Sequence, residues 1–312
     1  MSALDKQKKF AVIWRSLGVW IIVILIALIL AVFTDSFLTR SNLINVIRQN
    51  CVTGIAALGV TFVVLCGEID LSQGTLAALS GCMSALLMTK YNVSIFGAVC
   101  AALLVGVVSG LFIGFVVTYV RVPAFIATLG MQYAFNGITL LITGSQPIIG
   151  LPREFVFLGR GYWGIIPVPV IIMMSLFIAA AFVLKYFKFG RDVLATGENQ
   201  VAARLSGIKV NKTRMLVFVI SSVMASLAGA MLMARLSSGQ PTAGSDLSLQ
   251  ALSAVYVGSG GGVLTTLAGV CIIGLINNGL NLLKVPSYWQ YIALGCIIIV
   301  AVAIDKLRSD KS

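Results

Sequence analysis

The sequence predicts an all-α membrane protein that crosses the bilayer about ten times. Hydrophobic residues make up 59% of the 312 residues and charged residues only 10%, and the mean hydropathy is +1.03. A soluble domain carries about 25% charged residues, so this composition could not cover a water-exposed surface. The runs Leu17–Phe33 and Ile95–Val120 contain no charged residue, and each is long enough to cross the hydrocarbon core as a helix.

Polar and glycine-rich breaks divide the apolar sequence into ten candidate spans. The run 51–89 would measure roughly 58 Å as one helix, so it must contain two helices, broken near 67–74. The eighth span, about 18 Å long, is too short to cross alone and belongs to a second broken region, 247–262. The candidate spans are 17–33, 51–66, 72–89, 95–119, 124–143, 166–184, 215–234, 247–258, 263–283 and 287–304.

The distribution of basic residues predicts that both chain ends lie in the cytoplasm. With the N-terminus inside, the predicted cytoplasmic segments contain 15 of the 22 basic residues, as the positive-inside rule requires. The net charge of +12 therefore reflects membrane topology, and no nucleic-acid partner is expected. The predicted layout is a cytoplasmic segment 1–16, a single transmembrane domain 17–304 with a cytoplasmic loop 185–214, and a cytoplasmic tail 305–312.

The residue types present exclude several kinds of site. The sequence contains no histidine, which removes the commonest general base and metal ligand. Its six cysteines form no CxxC pair, so packing is their expected role. No GxxxxGK[ST] phosphate loop occurs, so LSSGQ at 236–240, which is close to the signature of ATP-binding-cassette ATPases, is interpreted as a chance match in a turn. We expect no catalytic residue, metal or cofactor in this chain.

The first break, CGEIDLSQG at 66–74, concentrates polar residues inside the hydrophobic body. An intramembrane charge costs about 2.5–3.5 kcal/mol to insert, so it indicates a functional site by default. Glu68, Asp70, Ser72 and Gln73 could line or support a hydrated pathway at a broken helix. The alternative is a tight cytoplasmic turn with solvated carboxylates, and the residues alone leave both open.

Two predicted helices carry uncharged polar side chains on one face. The positions are Thr128, Gln132 and Asn136 in the fifth span and Asn277, Asn278 and Asn281 in the ninth. A spacing of four residues places side chains on the same side of a helix. Such groups could line a path for a neutral, hydroxylated solute, or they could form hydrogen bonds between helices.

The predicted cytoplasmic loop contains a short amphipathic helix, within 198–208. Its apolar side is formed by Val201, Ala202 and Leu205. Glu198 near its start and Arg204 near its end suit the helix dipole, and Gly207 is expected to end it. From the residues alone, this helix either docks on another protein or lies in the membrane interface.

Five stretches, in order along the chain, resemble the membrane subunits of ribose-type sugar ABC importers. They are GEIDLSQGTLAALSG, RVPAFIATLG, GENQVAARLSGIKVNK, ARLSSGQPTAG and NNGLNLL, and the likeness runs from about residue 37 to residue 305. The branched-chain amino acid and nucleoside importer permeases are more distantly similar. The resemblance implies a ten-helix permease that imports a small solute, with a monosaccharide expected, across the bacterial inner membrane.

The resemblance also implies the partners of this permease. They are a second permease copy or paralogue, cytoplasmic ATPase subunits that bind ATP and Mg²⁺, a periplasmic solute-binding protein and membrane lipid. The matching positions place the coupling to the ATPase at Glu198, Asn199, Arg204, Leu205, Ser206 and Gly207. The sequence departs from the family where Glu68 replaces a glycine, and where the segment around 258–262 is shorter. The second departure puts a partner contact in question and suggests pairing with a different permease.

The mechanism that we expect is alternating access, driven by ATP hydrolysis in the partner subunits. The helix at 198–208 would pass their motion to the broken helices, which open or close a central path at the dimer interface. The main alternative is a secondary transporter, driven by an ion gradient, that uses Glu68 or Asp70 as its cation site. Within the family, the alternative solutes are a nucleoside or an amino acid.

Overall fold

The computed structural model describes residues 3–258 and 262–309, most of them helical. The helices are α1 Ala3–Phe33, α2 Arg40–Leu65, α3 Gln73–Thr89, α4 Ile95–Phe115, α5 Ala124–Thr143, α6 Arg153–Arg160, α7 Val168–Tyr186, α8 Lys188–Glu198, α9 Gln200–Leu205, α10 Val210–Leu236, α11 Leu247–Val257, α12 Val263–Leu282 and α13 Ser287–Ser309. A π-helical turn, Val116–Val120, continues α4. The strands β1 (Tyr162–Trp163) and β2 (Ile166–Pro167) form a small antiparallel hairpin.

The helices confirm the predicted fold class. Six of them, namely α2, α4 with its π-helical turn, α5, α7, α10 and α12, are long and apolar enough to cross a membrane, and two shorter apolar segments, Leu17–Phe33 and α11, accompany them. Each of the ten predicted spans corresponds to a helix, and both predicted breaks are present. Residues 259–261, inside the second break, lie outside the described residues, as do 1–2 and 310–312 in the predicted end segments.

Some predicted boundaries are wrong, for identifiable reasons. The predicted second span starts at residue 51, whereas α2 begins at Arg40. Apolar Leu43, Val46 and Ile47 recur there at helical spacing, but the polar residues between them lower the local hydropathy. The segment between the predicted spans 124–143 and 166–184 also contains regular structure, namely α6 and the β1 strand of the hairpin.

The chain divides into two compact units, Met1–Asn50 with Leu252–Ser312, and Cys51–Ala251. In the first unit, α1 packs against α12. Val19 of α1 and Ala268 and Ile272 of α12 form a small buried cluster. Helix association of this kind places apolar side chains in close contact, and within a membrane such packing is a main source of stability.

The second unit is built around α10, against which α3 and α4 pack along most of their lengths. The α4 helix faces α10 with Gly106, Gly110 and Gly114, spaced four residues apart. A Cβ atom on Gly110 would lie 2.5 Å from the Cα atom of Val219 on α10. The missing side chains therefore let two helix backbones approach closely, which is the usual function of small residues between membrane helices.

The LSSGQ stretch forms the turn that follows α10. Ser237 ends the helix in the left-handed conformation, with φ +58°. Gly239 then forms an isolated antiparallel bridge with Ile148, which precedes α6. The stretch is thus a structural turn within the second unit.

Candidate functional site

The break between α2 and α3 begins with a glycine turn. Gly67 has φ +80°, and its amide donates to the carbonyl oxygen of Val64 at 2.9 Å. The amide of Glu68 donates to the carbonyl oxygen of Val63 at 3.0 Å. This pattern satisfies the last carbonyl groups of α2 and is the usual glycine-based end of a helix. The chain can therefore leave α2 sharply and start α3 at Gln73.

Asp70 is fully buried and connects the break to α10. Its Oδ1 atom accepts hydrogen bonds from the amide and the hydroxyl of Ser72, at 2.9 and 2.7 Å. Its Oδ2 atom accepts from the Ser221 hydroxyl on α10 at 2.7 Å and from Gln73 Nε2 at 3.4 Å. In all four bonds Asp70 is the acceptor, which is the role of an ionised carboxylate.

Gln73 strengthens the same connection. Its Nε2 atom donates to the carbonyl oxygen of Ser221 at 3.0 Å and also contacts the Ser221 hydroxyl. Asp70, Ser72 and Gln73 have no exposed surface. The structure therefore places these three predicted pathway residues in a buried network that supports the break. Their involvement in solute passage stays a prediction.

A second contact fixes the start of α3 from the first turn of α11 and the segment just before it. The amide of Gly74 donates to Ser248 Oγ at 2.7 Å, and that hydroxyl donates to the carbonyl oxygen of Leu71 at 2.8 Å. A Cβ atom on Gly74 would lie 2.0 Å from the carbonyl oxygen of Gly244. The sequence alone does not mark Ser221, Ser248 or Gly244 as site residues. The polar Ser221 inside an apolar span was the available signal.

Glu68 is neither solvated nor free, because it forms an ion pair with Arg214 of α10. Arg214 Nη2 lies 2.6 Å from Glu68 Oε1, and Arg214 Nε donates to the same oxygen at 2.7 Å. The side chains of Arg214 and Glu68 are only 15% and 10% exposed. The break thus has a charged connection to α10.

A cavity of about 680 Å³ lies beside this ion pair. Its walls come from the break, the π-helical turn after α4 and the first turn of α5. The C-terminal end of α9 and the N-terminal end of α10 complete them. The charged lining residues are Glu68, Arg121, Arg204 and Arg214. Three guanidinium groups and one carboxylate give the cavity a net positive charge. The cavity brings together Glu68 and Arg204, which the sequence assigned to two different sites.

The predicted coupling region consists of two helices, not one. Asn199 has an extended backbone and separates α8 from α9, so Glu198 ends α8 and does not start the predicted helix. The Asn199 Oδ1 atom accepts from the amides of Val201 and Ala202 at 2.9 and 3.0 Å. Asparagine is a preferred residue at this position, because its side chain satisfies free amides at the start of a helix. Because the Asn199 side chain satisfies these amides in place of backbone carbonyl groups, a new helix starts at Gln200 and the predicted helix is divided in two.

The other end of α9 is equally well defined. Gly207 has φ +82°, and the amide of Ile208 donates to the carbonyl oxygen of Ala203 at 3.0 Å. The Ser206 hydroxyl donates to the carbonyl oxygen of Ala202 at 3.0 Å. A left-handed glycine with this bond is a common helix ending. It makes α9 a short, rigid unit.

The apolar side of α9 faces away from the protein. Val201 is 66% exposed and Leu205 is 86% exposed, and Ala202 and Arg204 are exposed as well. Only Ala203 is buried against the chain. Such an outward apolar surface suits either docking on a partner or contact with the membrane interface, the two roles considered for this helix.

The polar face of α5 divides into different environments. Thr128 is fully buried and donates to the carbonyl oxygen of Ala124, in its own helix, at 2.9 Å. Gln132 is half-buried and Asn136 is exposed. None of these three residues lines the cavity beside Glu68, and their assignment to a pathway stays a prediction.

The asparagines of α12 lie in the first compact unit. Asn278 and Asn42 of α2 exchange two side-chain hydrogen bonds, at 2.8 and 3.1 Å. Asn281 accepts from Gln290 Nε2 at 3.0 Å, and Asn277 is half-buried. At Asn278 and Asn281 the side chains thus form the interhelical bonds that were one of the two interpretations.

Comparisons with known proteins agree with the resemblance found in the sequence. The ribose import permease protein RbsC of Haemophilus influenzae is 41% identical over 300 residues, which cover 93% of this chain and 92% of that protein. The D-allose transport system permease protein AlsC of Escherichia coli is 36% identical over 312 residues, covering 97% and 95% of the two chains.

The similarity extends to a further sugar permease and to a family profile. The xylose transport system permease protein XylH of Haemophilus influenzae is 31% identical over 367 residues, covering 95% of this chain and 98% of the relative. The profile described as the permease component of the branched-chain amino acid transport system matches residues 42–302. With its apolar helices, the chain is a multi-pass membrane protein, and it belongs to this family of ABC transporter permease components.

Proposed function

We propose that the chain is the permease subunit of an ATP-driven importer that carries a monosaccharide across the bacterial inner membrane. The observation that carries this proposal is the similarity, over more than nine-tenths of the chain, to permeases named for ribose, allose and xylose. Those three solutes are neutral and rich in hydroxyl groups. ATP and Mg²⁺ bind to partner ATPase subunits, and a periplasmic binding protein delivers the sugar.

The connectivity of the second unit supports a coupling role for α9. Four residues, 206–209, separate α9 from α10, so a displacement of α9 must move the start of α10. Arg214, in the second turn of α10, contacts Glu68, and Ser221 contacts Asp70 two turns further on. Motion at α9 therefore reaches the break through two polar contacts on one rigid helix.

The end of α8 provides a second, direct route to the break. A Cβ atom on Gly197 would lie 2.0 Å from the carbonyl oxygen of Leu65, the last residue of α2. Because these two backbones are in close contact, the end of α8 cannot move towards α2 without displacing the end of α2. Motion of the α8–α9 segment can therefore reach the break by two routes, through the end of α2 and through α10.

The proposed orientation follows from the order of the elements along the chain. The α8–α9 segment and α6 with its hairpin lie at opposite ends of α7. With both chain termini in the cytoplasm, α9 faces the ATPase and α6 faces the periplasm. The permease pairs with a second copy or a paralogue, and the solute passes between the two subunits.

Reconstitution tests this function and separates it from the main alternative. The permease is placed in proteoliposomes with its ATPase and binding protein, and uptake of labelled ribose, allose and xylose is measured. Uptake of at least one sugar should require internal ATP. Uptake by the permease alone, driven by a proton or sodium gradient, would instead establish a secondary transporter.

Leu205→Glu tests the coupling role of α9. Placing a charge at an apolar docking surface should reduce co-purification of the ATPase and should reduce ATP-dependent uptake to a similar extent. Leu38→Glu is the matched control, because Leu38 is also strongly exposed, at 65%, but lies between α1 and α2. If Leu205→Glu assembles normally and transports normally, α9 does not couple the two subunits.

A further inference from the structure

A second cavity, of about 490 Å³, lies between the π-helical turn after α4 and the start of α10. It shares Arg204 and Asn211 with the cavity beside Glu68. Its other lining residues are Tyr119, Lys209, Val210, Lys212 and Met215. The lining of this cavity therefore combines three cations with the apolar side chains of Tyr119, Val210 and Met215.

Among the described residues, no acidic side chain forms an ion pair with the cations of this cavity. Arg204, Lys209 and Lys212 are exposed, and in the described part of the chain none of their side chains forms an ion pair or hydrogen bond. The cavity also lies at the first turn of α10, where the helix dipole adds partial positive charge. Three free cations around one concave site favour an anionic ligand that bears phosphate.

The apolar lining continues into an exposed apolar surface of α4. Tyr119 lines the cavity and stacks on Phe115, with ring centroids 5.6 Å apart. An exposed apolar stripe extends from there along the helix: Leu104, Val108, Leu111, Phe112, Phe115 and Tyr119. The glycines of α4 that pack on α10 occupy the opposite face. The stripe therefore points outward and leads directly to the cationic site.

We propose that this cavity binds an anionic phospholipid, with its phosphate group held by Arg204, Lys209 and Lys212. An acyl chain lies along the stripe that ends at Phe115 and Tyr119. A free phosphate ion would use the cations and leave the stripe without a role, whereas a phospholipid uses both. Tyrosine at the level of the headgroups is typical of a membrane interface.

The site lies at the link between α9 and α10, which suggests a regulatory effect. Arg204 belongs to α9, whereas Lys212 belongs to α10. A phosphate group held by both would stiffen the link through which α9 acts on α10. This consequence rests on the proposed coupling role of α9, whereas lipid binding itself does not. We expect anionic lipid to increase ATP-driven uptake by the reconstituted permease.

Lipid binding can be measured directly on the purified permease. Native mass spectrometry compares phosphatidylglycerol with phosphatidylcholine of the same acyl chains, and phosphatidylglycerol should bind more tightly. The double variant Lys209→Gln with Lys212→Gln should bind phosphatidylglycerol roughly 25-fold more weakly, given the usual contribution of each lysine near an anionic lipid surface. Lys185→Gln with Lys188→Gln is the matched control. It removes two exposed lysines outside the cavity and should leave binding unchanged.

The apolar wall provides the test that separates lipid from free phosphate. Tyr119→Ser should weaken phosphatidylglycerol binding severalfold while the cations remain. If the control lysine pair weakens binding as much as the cavity pair does, the attraction is a general surface effect and the proposal fails. It also fails if millimolar inorganic phosphate displaces the lipid completely and Tyr119→Ser has no effect. Thermal unfolding of each variant checks that the fold is retained.

Discussion

Asp70→Asn separates a structural role for the buried carboxylate from a cation site. Asp70 accepts three hydrogen bonds shorter than 3.0 Å, two from Ser72 and one from Ser221. An asparagine can offer an acceptor to only one of these two groups. Whichever way the amide is turned, its NH₂ group faces either the Ser72 amide or the Ser221 hydroxyl, with Gln73 Nε2 beside the latter.

The expected loss of stability follows from the hydrogen bonds that the substitution weakens. Hydrogen bonds to charged groups contribute about 1.5–3 kcal/mol and neutral ones about 0.5–1.5 kcal/mol. Replacing three charged bonds by neutral or unfavourable contacts should therefore reduce the free energy of unfolding by about 3 kcal/mol. At roughly 2 °C per kcal/mol for a chain of this size, the midpoint of thermal unfolding should fall by about 6 °C.

Thermal unfolding in detergent and ATP-dependent uptake should be measured on the same preparation. The matched control is Ser84→Ala, a buried serine whose hydroxyl bonds only to the carbonyl oxygen of Gly81 in its own helix. It should lower the midpoint by about 3 °C or less. If Asp70→Asn unfolds at the wild-type temperature but transports nothing, the structural role assigned to Asp70 is refuted and a cation site is favoured.

Three further substitutions test the other contacts of the second unit. Glu68→Ala leaves the Arg214 charge unpaired and should lower the free energy of unfolding by about 2 kcal/mol, measured by thermal unfolding. Exchanging the two residues should restore part of that stability, and no recovery would contradict a direct pair. Gly110→Leu should separate α4 from α10 and abolish a monodisperse gel-filtration peak. Gly130→Leu should not, because a Cβ atom there would meet no neighbouring group within 4 Å. Gly207→Ala should destabilise the left-handed end of α9 by about 1 kcal/mol and reduce ATPase co-purification; unchanged assembly would show that this helix end is dispensable.

The local sequence was sufficient to predict the apolar helices, whose stability depends on the bilayer. The predicted span 124–143 coincides with α5, because an apolar run of that length can satisfy its backbone in lipid only as a helix. Both breaks were also predictable, since glycines interrupt the apolar pattern at each and charged residues do so at the first. Where polar residues dilute the pattern, as at the start of α2 near Arg40, hydropathy missed one or more helical turns.

The roles of the polar residues depended on tertiary structure. Glu68 and Asp70 are unusual in the sequence, but local patterns could not predict their partners, because Arg214 and Ser221 lie 146 and 151 residues away in the chain. Helix spans and breaks were determined by the sequence alone, since they follow from local hydropathy and backbone chemistry. Only the packing of α3 and α4 around α10 decided which charges are paired, which cavity forms beside them, and which cations remain free to bind a ligand.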